Sequence, residues 1–425
     1  MSASEASGRR PILPPVLRHR NYTLLWLAMI SEGFGGQMTA VAVGWQVYSI
    51  HHSPFELGLI GLAEFIPLPL LALPAGQLAD RVSRRLLFLA SLIGLAGVTV
   101  GLLLVSISGA HELWPFLALG FATGVSIAIG TPPGRALPAM VVPFDLISSA
   151  MALRSIAFQA ATITGPALGG FLFTISPNVV YAAATGMIVI GIVATLMVSE
   201  PARVERAEGD DVRGFAALVA GIHFIRKTPV IMGSITLDLF AVLFGGAVAL
   251  APVFARTILH VGPIGLGILR SGPAIGALLA GIWIARRPPQ RHAGRNLLAV
   301  VGAFGLCMVV FGLSHSFWLS LLALAVSGAV DMVSMNIRAT AVVVATPDEL
   351  RGRVLAVEMV FISASNELGA FESGAAAAAF GTVTSVVAGG LLTIGLAAVW
   401  PKVFPALARI DRLEDIRPKP VEAVA

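Results

Sequence analysis

The chain has 425 residues, of which 56% are hydrophobic and 12% charged, and its mean hydropathy is +0.88. Because soluble proteins carry about 25% charged residues, this composition excludes an ordinary soluble domain and predicts a polytopic membrane protein. The net charge of +5 does not indicate nucleic-acid binding, since no soluble segment is long enough to gather the bases on one face. The single cysteine, Cys307, excludes disulfides and cysteine-based metal sites.

Twelve apolar stretches follow one another along the chain and are called spans 1 to 12. A hydrocarbon core of about 30 Å needs about 20 helical residues to cross it. In order, the stretches cover 22–49, 56–79, 86–109, 113–133, 149–175, 178–198, 229–255, 263–285, 296–315, 317–338, 354–379 and 382–402. The polar first twenty residues lead directly into span 1 without a small-residue cleavage site, so we expect no signal peptide. The sequence therefore predicts an all-α protein with both termini on one side of the membrane.

The basic residues test this count through the positive-inside rule. All but two of the 28 Lys and Arg lie in or beside the termini and the connections on the same side as the termini. The opposite connections lack Lys and Arg, apart from Arg256 after span 7, and Arg270 lies inside span 8. We therefore expect cytoplasmic termini in a bacterial-type inner membrane, because a miscount by one span would destroy this alternation.

The longest connection divides the spans into two sets of six. Its first part is a charged linker, and its second part, from Gly214 to Lys227, has the pattern of an amphipathic helix at the membrane interface. The sequence thus predicts an N-terminal tail, a six-helix bundle, a linker, a second six-helix bundle and a C-terminal tail. Their bounds are 1–21, 22–198, 199–228, 229–402 and 403–425.

The two sets of six carry weak internal similarity. The pair Gly35–Gly36 followed by "SPFELGLI" resembles Gly245–Gly246 followed by "GPIGLGIL", at an offset of 210 residues. Further along, "RALPAMVVPFDL" from Arg135 resembles "RATAVVVATPDEL" from Arg338, at an offset of 203 residues. The common order and similar offsets predict a duplication, which is typical of transporters built from two related bundles.

The connection between spans 2 and 3 reads "GQLADRVSRR", from Gly76 to Arg85. It resembles the loop 2–3 motif of the major facilitator superfamily, although Ser83 replaces a glycine that is common there. The resemblance extends over nearly the whole chain and implies two six-helix bundles that alternate access, with spans 1, 4, 7 and 10 lining the pathway. It also implies that Asp80 pairs with Arg135 and the start of span 11 to close the cytoplasmic side. The alternative is that these arginines only enforce orientation.

The second half has no matching acid in "GIWIARRPPQRHAGR", so a gate there needs other residues. The segment "DELRGRV" at the start of span 11 supplies candidates, although a solvated turn with charges at a helix start explains it equally well. The candidate gate residues are Gly76, Asp80, Arg81, Arg84, Arg85, Arg135, Arg338, Arg351 and Arg353.

Span 5 contains the segment "GPALGG", with Gly165, Pro166, Gly169 and Gly170. It is similar to the core of a motif associated with antiporters of the superfamily, although Ala161 stands where a further glycine is usual. Small residues also let helices pack closely and proline bends a helix, so packing without any export role is the alternative. The order of motifs resembles most the branch that contains the bacterial enterobactin exporter and similar efflux proteins.

Ionisable side chains inside spans cost about 2.5–3.5 kcal/mol each on insertion scales, so they normally face protein or water. Spans 3, 6, 9 and 12 carry none, which suits them to face lipid. Glu32 and Asp238 lie near the midplane at related positions of the two halves, so they are the leading candidates for proton coupling or cation recognition. The alternative is a carboxylate satisfied by local hydroxyls or by a base such as Arg270.

Further polar groups extend this pathway. Gln37 and Glu64 are expected to line it nearer the periplasm. Glu358 and Glu372 share a face of span 11 and Glu367 projects to the opposite face, so at least one of the three is expected to hold helices together. The pathway candidates are Glu32, Gln37, Glu64, Asp238, Arg270, Asp331, Glu358, Glu367 and Glu372. Hydrogen-bonded packing is the expectation for Arg154, Gln159 and Asn336.

Together these features predict a secondary transporter that exports a small molecule, such as a siderophore, drug or metabolite, in exchange for protons. Uptake by proton symport is the alternative within this class, and a non-transporting membrane sensor is the alternative from another class. An enzyme is not expected, because the HExxH, GxSxG and phosphate-loop patterns are missing. We expect no cofactor or metal, a proton gradient as energy source, no nucleic acid, and a monomer that meets its substrate within the lipid bilayer.

Overall fold

The computed structural model describes residues 14–199, 215–286 and 291–416, and within these ranges the chain is helical and contains no strand. The side chains of residues 72–73, 76–77, 79–81 and 215–218 lie outside this description. The twelve spans are observed as twelve consecutive helical segments.

Spans 1 to 6 are called the N-terminal half, and spans 7 to 12 the C-terminal half. The N-terminal spans are Arg20–His51, Pro54–Phe65 continued by Pro67–Arg81, Arg84–Ser108, Trp114–Met140, Ile147–Phe173 and Pro177–Met197. The C-terminal spans are Pro229–Gly245 continued through short helices to Ile258, Gly262–Arg286, Ala293–Leu313, Phe317–Ala345, Asp348–Phe380 and Thr382–Val403. Short helices also cover Pro15–Arg18, Phe144–Leu146, Pro405–Ala408 and Leu413–Asp415.

Spans 2 to 12 give eleven helices that are long and apolar enough to cross a membrane. Span 1 has 32 residues, a length of about 48 Å at 1.5 Å per residue. It packs along spans 5 and 6 and buries Tyr22, Leu25 and Ala28. Span 1 therefore completes the set, and the predicted all-α fold with twelve membrane helices is confirmed.

The packing of the N-terminal half repeats in the C-terminal half with every span number raised by six. Span 1 packs against spans 5 and 6, and span 7 packs against spans 11 and 12. Span 4 packs against spans 2 and 3, and span 10 packs against spans 8 and 9. Spans 3 and 6 form a pair that is matched by spans 9 and 12. The predicted duplication is therefore visible as two equivalent six-helix arrangements.

The two halves meet along two equivalent contacts, span 5 with span 8 and span 2 with span 11. Both contacts depend on glycines. A Cβ atom built on Gly374 of span 11 would lie 2.7 Å from the carbonyl oxygen of Pro54 on span 2. One built on Gly170 of span 5 would come within 3.3 Å of the Cα of Gly267 on span 8. Only glycine permits these backbones to approach so closely.

The end of the molecule that carries Arg18, Arg84, Arg85, Arg291 and Arg351 is called the arginine-rich end, and the opposite end is called the arginine-poor end. Gly374, Pro54 and Gly170 all lie toward the arginine-poor end of their spans. These contacts therefore close the molecule between its halves at the arginine-poor end.

Spans 2 and 7 are not continuous α-helices. Span 2 is interrupted at Ile66, immediately before Pro67, because proline has no backbone N–H to donate. Span 7 is interrupted at Gly246 and ends in a π-helical turn, Phe254–Ile258. Arg256 lies within this turn, so the expectation that it belongs to the following loop is wrong.

The connection between the halves contains a helix, Phe215–Lys227, and residues 200–214 lie outside the described residues. Phe224 and Ile225 on this helix are buried against Val354 and Val357 of span 11. The helix is therefore attached to the C-terminal half by an apolar contact.

Candidate functional site

Three charged side chains contributed by both halves lie within electrostatic reach of one another: Glu64 of span 2, Arg270 of span 8 and Glu367 of span 11. The charge of Arg270 acts on both carboxylates, and the charge of Glu367 also acts on Glu64. Arg270 also donates a hydrogen bond to the carbonyl oxygen of Ala40 on span 1, at 3.3 Å. A Cβ atom built on Gly61 of span 2 would lie 3.6 Å from a carboxylate oxygen of Glu367, which places Glu367 against span 2. We call these three residues the central triad.

The central triad lies well inside the molecule. Glu64 is ten residues from the start of span 2 and Arg270 is eight from the start of span 8, which are about 15 Å and 12 Å of helix. Glu367 is thirteen residues from the end of span 11, about 20 Å of helix. All three distances start at the arginine-poor end, and the hydrocarbon core is about 30 Å thick. The triad is therefore close to the middle of the membrane.

The charges of the triad do not balance when all three groups are ionised. Two carboxylates surround one guanidinium group, which leaves a net charge of −1 at a depth where ionised groups are costly. One proton bound at either carboxylate makes the set electrically neutral. The triad can therefore hold one proton or bind one cationic group without leaving an uncompensated charge.

A second charged cluster lies within the C-terminal half. Arg338 of span 10 and Asp238 of span 7 form an ion pair of 2.8 Å, and their exposed fractions are only 5% and 8%. The Arg338 Nε atom donates a hydrogen bond to the hydroxyl oxygen of Ser334 at 3.2 Å. Arg338, expected at the gate, is thus the basic partner of Asp238, in place of Arg270.

Two further acids surround this pair. Asp331 and Glu358 both lie within electrostatic reach of Arg338 and Asp238. Glu358 is buried, whereas Asp331 is exposed although it is fourteen residues into span 10. Because an ionised group facing lipid at this depth is costly, the exposure of Asp331 indicates a water-filled space next to span 10.

The equivalent region of the N-terminal half contains Glu32 of span 1. The basic group whose charge acts on Glu32 is Arg154 of span 5. Spans 1 and 5 are fixed together there, because the Tyr22 hydroxyl donates to the carbonyl oxygen of Ala150 at 2.5 Å and the Trp26 indole donates to that of Leu153 at 2.9 Å. Glu32 and Asp238 therefore lie in separate halves, each near its own arginine.

The remaining pathway candidates lie on spans 1 and 11. The side chain of Gln37 packs against span 5, because a Cβ atom built on Gly165 would lie 2.7 Å from the Gln37 Cβ atom. Glu372 is half-buried and lies five residues nearer the arginine-poor end than Glu367. Gln159 donates a hydrogen bond of 2.6 Å to the carbonyl oxygen of Ala274, which joins spans 5 and 8.

The gate predicted from the segment "GQLADRVSRR" lies partly outside the described residues. The segment Pro67–Arg81 is helical, but the side chains of Asp80 and Arg81 are not described, nor are the surroundings of Gly76. Arg135 is exposed and its guanidinium group lies 3.2 Å from the sulfur of Met359 on span 11. Arg135 therefore reaches span 11 across the halves, and its pairing with Asp80 stays a prediction.

Three other gate candidates, Arg84, Arg85 and Arg351, have side-chain partners within their own halves, whereas Arg353 contacts the connecting helix through its backbone. Arg85 donates to the carbonyl oxygens of Thr195 and Leu196, at 3.0 and 2.5 Å, and so caps the end of span 6. Arg84 lies 3.1 Å from the sulfur of Met140. Arg351 pairs with Asp348 one turn earlier at 2.5 Å. A Cβ atom on Gly221 of the connecting helix would lie 3.0 Å from the carbonyl oxygen of Arg353.

The "GPALGG" segment of span 5 touches both halves. Gly165 faces Gln37, and a Cβ atom on Gly169 would lie 2.9 Å from the Cα of Met38 on span 1. The carbonyl oxygen of Pro166 faces Gly267 on span 8, next to the contact made by Gly170. The segment thus holds span 5 between span 1 and the opposite half.

Every member of the central triad is recognisable in the sequence as a pathway candidate, but their grouping is not. One signal was available: Arg270, moved back by the repeat offset of the span 2 and span 8 motifs, falls one helical turn from Glu64. The two positions are therefore related, like Glu32 and Asp238. Which side chain meets which was decided by the packing of spans 2, 8 and 11.

Comparison with known proteins gives consistent results. A family model described as "Transmembrane secretion effector" matches residues 12–422. The enterobactin exporter EntS of Citrobacter koseri is 26% identical over 382 residues, which cover 87% of this chain and 88% of that protein. The same figures apply to the enterobactin exporter EntS of Escherichia coli O1:K1.

Two solved structures have the same fold. A bacterial homologue of the human lysosomal transporter Spinster, in an inward-facing and unoccupied conformation, superposes with a TM-score of 0.70 at 17% identity and covers 92% of this chain and 97% of that one. A D-xylose–proton symporter superposes with a TM-score of 0.70 at 13% identity, covering 91% and 98%. The family match extends over nearly the whole chain, and the chain therefore belongs to the transmembrane secretion effector family of major facilitator superfamily transporters.

Proposed function

We propose that this protein is a proton-coupled exporter of a small molecule that works as a monomer by alternating access. The observation that carries the proposal is the central triad, because its charges are contributed by both halves at mid-membrane depth. Glu64 belongs to the N-terminal half, whereas Arg270 and Glu367 belong to the C-terminal half. A relative motion of the halves must therefore change the charge balance of the triad.

The coupling follows from what happens when the halves separate at the arginine-poor end. Arg270 and Glu367 stay together as a neutral pair, while Glu64 loses its basic partner. Leaving a buried carboxylate without a nearby base is costly, so an ionised Glu64 opposes opening. A proton bound at Glu64 removes this cost. Closure then returns Arg270 to Glu64, and the closed triad, which is neutral with one proton bound, releases that proton when a cationic group of the substrate takes its place.

This cycle moves protons from the arginine-poor end to the arginine-rich end. The positive-inside rule supports a cytoplasmic arginine-rich end and hence cytoplasmic termini in an inner membrane. Protons then enter as the substrate leaves, which is antiport. The names of the EntS relatives support the outward direction and a siderophore as the first substrate to test, with drugs and metabolites as the other classes.

Everted membrane vesicles test this proposal, because export from the cell becomes accumulation inside the vesicle. Enterobactin and ethidium serve as probes of a siderophore and a cationic drug. An imposed gradient that is acidic inside should drive accumulation of at least one probe, and a protonophore should abolish it. Accumulation without a gradient would contradict proton coupling, and probe loss driven by the same gradient would support symport instead.

The Glu64→Gln variant examines the triad in the same vesicles. The glutamine side chain retains the shape of glutamate but cannot gain or lose a proton, so gradient-driven accumulation should fall to the level of vesicles without the protein. Exchange of labelled for unlabelled probe needs no net proton movement and should continue. Glu112→Gln is the matched control, because Glu112 is an exposed acid in the connection before span 4. Normal gradient-driven accumulation by Glu64→Gln would contradict the coupling role of the triad.

A further inference from the structure

A pocket of about 660 Å³ opens at the arginine-poor end between the two halves. Its walls come from spans 1, 5, 7 and 8, and it is distinct from the central triad. The residues that give it chemical character are Trp45, Phe173, Thr174, Arg256 and His260. Its volume falls in the range of about 300–1,000 Å³ that small-molecule sites occupy.

The basic residue in this pocket is an exception in the charge pattern of the chain. Arg256 is the one Lys or Arg that the sequence assigns to the arginine-poor connections. Among the described residues, Arg256 forms no ion pair. Its guanidinium group donates a hydrogen bond to the hydroxyl oxygen of Ser49 and lies over the ring of Trp45, 5.8 Å from the centroid. A guanidinium group held by neutral partners keeps its capacity to bind an anion.

The backbone holds Arg256 in place. It lies in the π-helical turn Phe254–Ile258, which is closed by hydrogen bonds from the Leu259 N–H to the Phe254 carbonyl, at 2.8 Å, and from the Val261 N–H to that of Ala255, at 2.9 Å. Single π-turns recur at functional sites of proteins. His260 follows with a backbone φ of 52°, which residues other than glycine rarely adopt, and it lines the same pocket.

Aromatic side chains complete the pocket. The rings of Trp45 and Phe173 meet edge to face, with centroids 6.5 Å apart and an interplanar angle of 67°. The first residues of span 8, including Pro263, form another wall, and a helix N-terminus favours negative charge. A planar ring can pack on the aromatic side while its anionic group meets Arg256 and His260.

We propose that this pocket is a binding site for a small aromatic anion, reached from the arginine-poor side and complete only while the halves are closed there. Trp45 and Phe173 belong to the N-terminal half, whereas Arg256 and His260 belong to the C-terminal half. A bound ligand therefore stabilises the closed arrangement. If the protein exports such a compound, as the proposed function allows, product that accumulates outside slows its own export. That consequence rests on the proposed function, and the binding itself does not.

Binding is measured by calorimetry on the full chain in phosphatidylcholine nanodiscs, with no gradient present. The probe is 2-naphthoate, and the comparison compounds are cyclohexanecarboxylate, which has no aromatic ring, and 2-naphthylmethylamine, which is cationic. We expect 2-naphthoate to bind more tightly than either. Arg256→Ala should weaken binding at least about tenfold, and Trp45→Leu about two- to fivefold. Arg295→Ala removes an exposed arginine at the other end and should leave binding unchanged.

Equal affinities for the three compounds, or loss of binding in Arg295→Ala alone, would overturn the proposal. Nanodiscs that contain phosphatidylglycerol test a lipid phosphate as occupant. If this lipid abolishes 2-naphthoate binding to the wild-type protein, the pocket is a headgroup site and the proposal is wrong.

Should Arg256→Ala fail to fold, Arg256→Lys retains the charge without the planar group, and an intermediate affinity is expected. Binding of 2-naphthoate in vesicles that show no proton-coupled export would contradict the proposed function and leave this site intact.

Discussion

The two halves of the molecule carry an acid and an arginine at related positions, but they use them differently. In the C-terminal half, Asp238 and Arg338 form a buried ion pair of 2.8 Å. In the N-terminal half, Arg135, the counterpart of Arg338, is exposed and reaches Met359 of the opposite half, while Glu32 is near Arg154. Asp238 and Arg338 hold the C-terminal half together. In the described part of the N-terminal half, Glu32 and Arg135 do not pair with each other, and Arg135 faces the opposite half. Duplication preserved the positions and the partners diverged.

The largest expected difference between the halves is in stability. Arg338→Leu leaves Asp238 buried without a base, so it should destabilise the protein by about 3–5 kcal/mol. Arg135→Leu changes an exposed side chain and should stay within about 0.5 kcal/mol. Thermal unfolding of the purified proteins in detergent gives the comparison.

A double variant separates the ion pair from general packing. Asp238→Leu together with Arg338→Leu removes both charges and should recover much of the loss caused by Arg338→Leu alone. Equal destabilisation by Arg338→Leu and Arg135→Leu would show that the halves do not differ in this respect.

A smaller effect is expected where the halves behave alike. Gly374 and Gly170 occupy equivalent contacts of spans 11 and 5 with the opposite half, so Gly374→Ala and Gly170→Ala should each disfavour closure at the arginine-poor end. Inserting a methyl group into a packed contact costs about 1–3 kcal/mol, which corresponds to a shift of the open-to-closed ratio of about five- to 150-fold.

Labelling of a cysteine measures this shift. In a Cys307→Ser background, Ala370→Cys lies between spans 11 and 2, and an impermeant maleimide should label it faster in both glycine variants. Gly395→Ala is the control, since no atom lies within 4 Å of a Cβ atom built there. Faster labelling in one glycine variant only would break the equivalence of the two contacts.

The smallest effects are expected at the arginine-rich end. Arg85→Ala removes two hydrogen bonds to the last carbonyls of span 6 and should cost about 1 kcal/mol. Arg351→Ala removes an exposed pair with Asp348 and should cost about 0–0.5 kcal/mol. Unfolding midpoints of the two variants, measured side by side, test this order, and a greater loss in Arg351→Ala would reverse it.

Much of the candidate site could be predicted residue by residue. A carboxylate or guanidinium group inside an apolar span must face protein or water, so Glu64, Asp238, Arg270 and Glu367 were recognisable without a structure. Their partners were not. Arg338, at the end of span 10, was predicted at the gate, and the structure pairs it with Asp238, because spans 7 and 10 pack together.

The sequence by itself determined the number of spans, their order, their common side for the termini and the duplication, because apolar length and charge position are local properties of the chain. Only the tertiary structure decided that Glu64, Arg270 and Glu367 form one group and that Arg256 shares a pocket with Trp45. Glu64 is more than 200 positions from both Arg270 and Glu367, and Trp45 is more than 200 positions from Arg256, so these contacts between the halves are remote in the chain. Helix rotation and close approach at glycines fix such contacts, and neither is specified by composition or spacing alone.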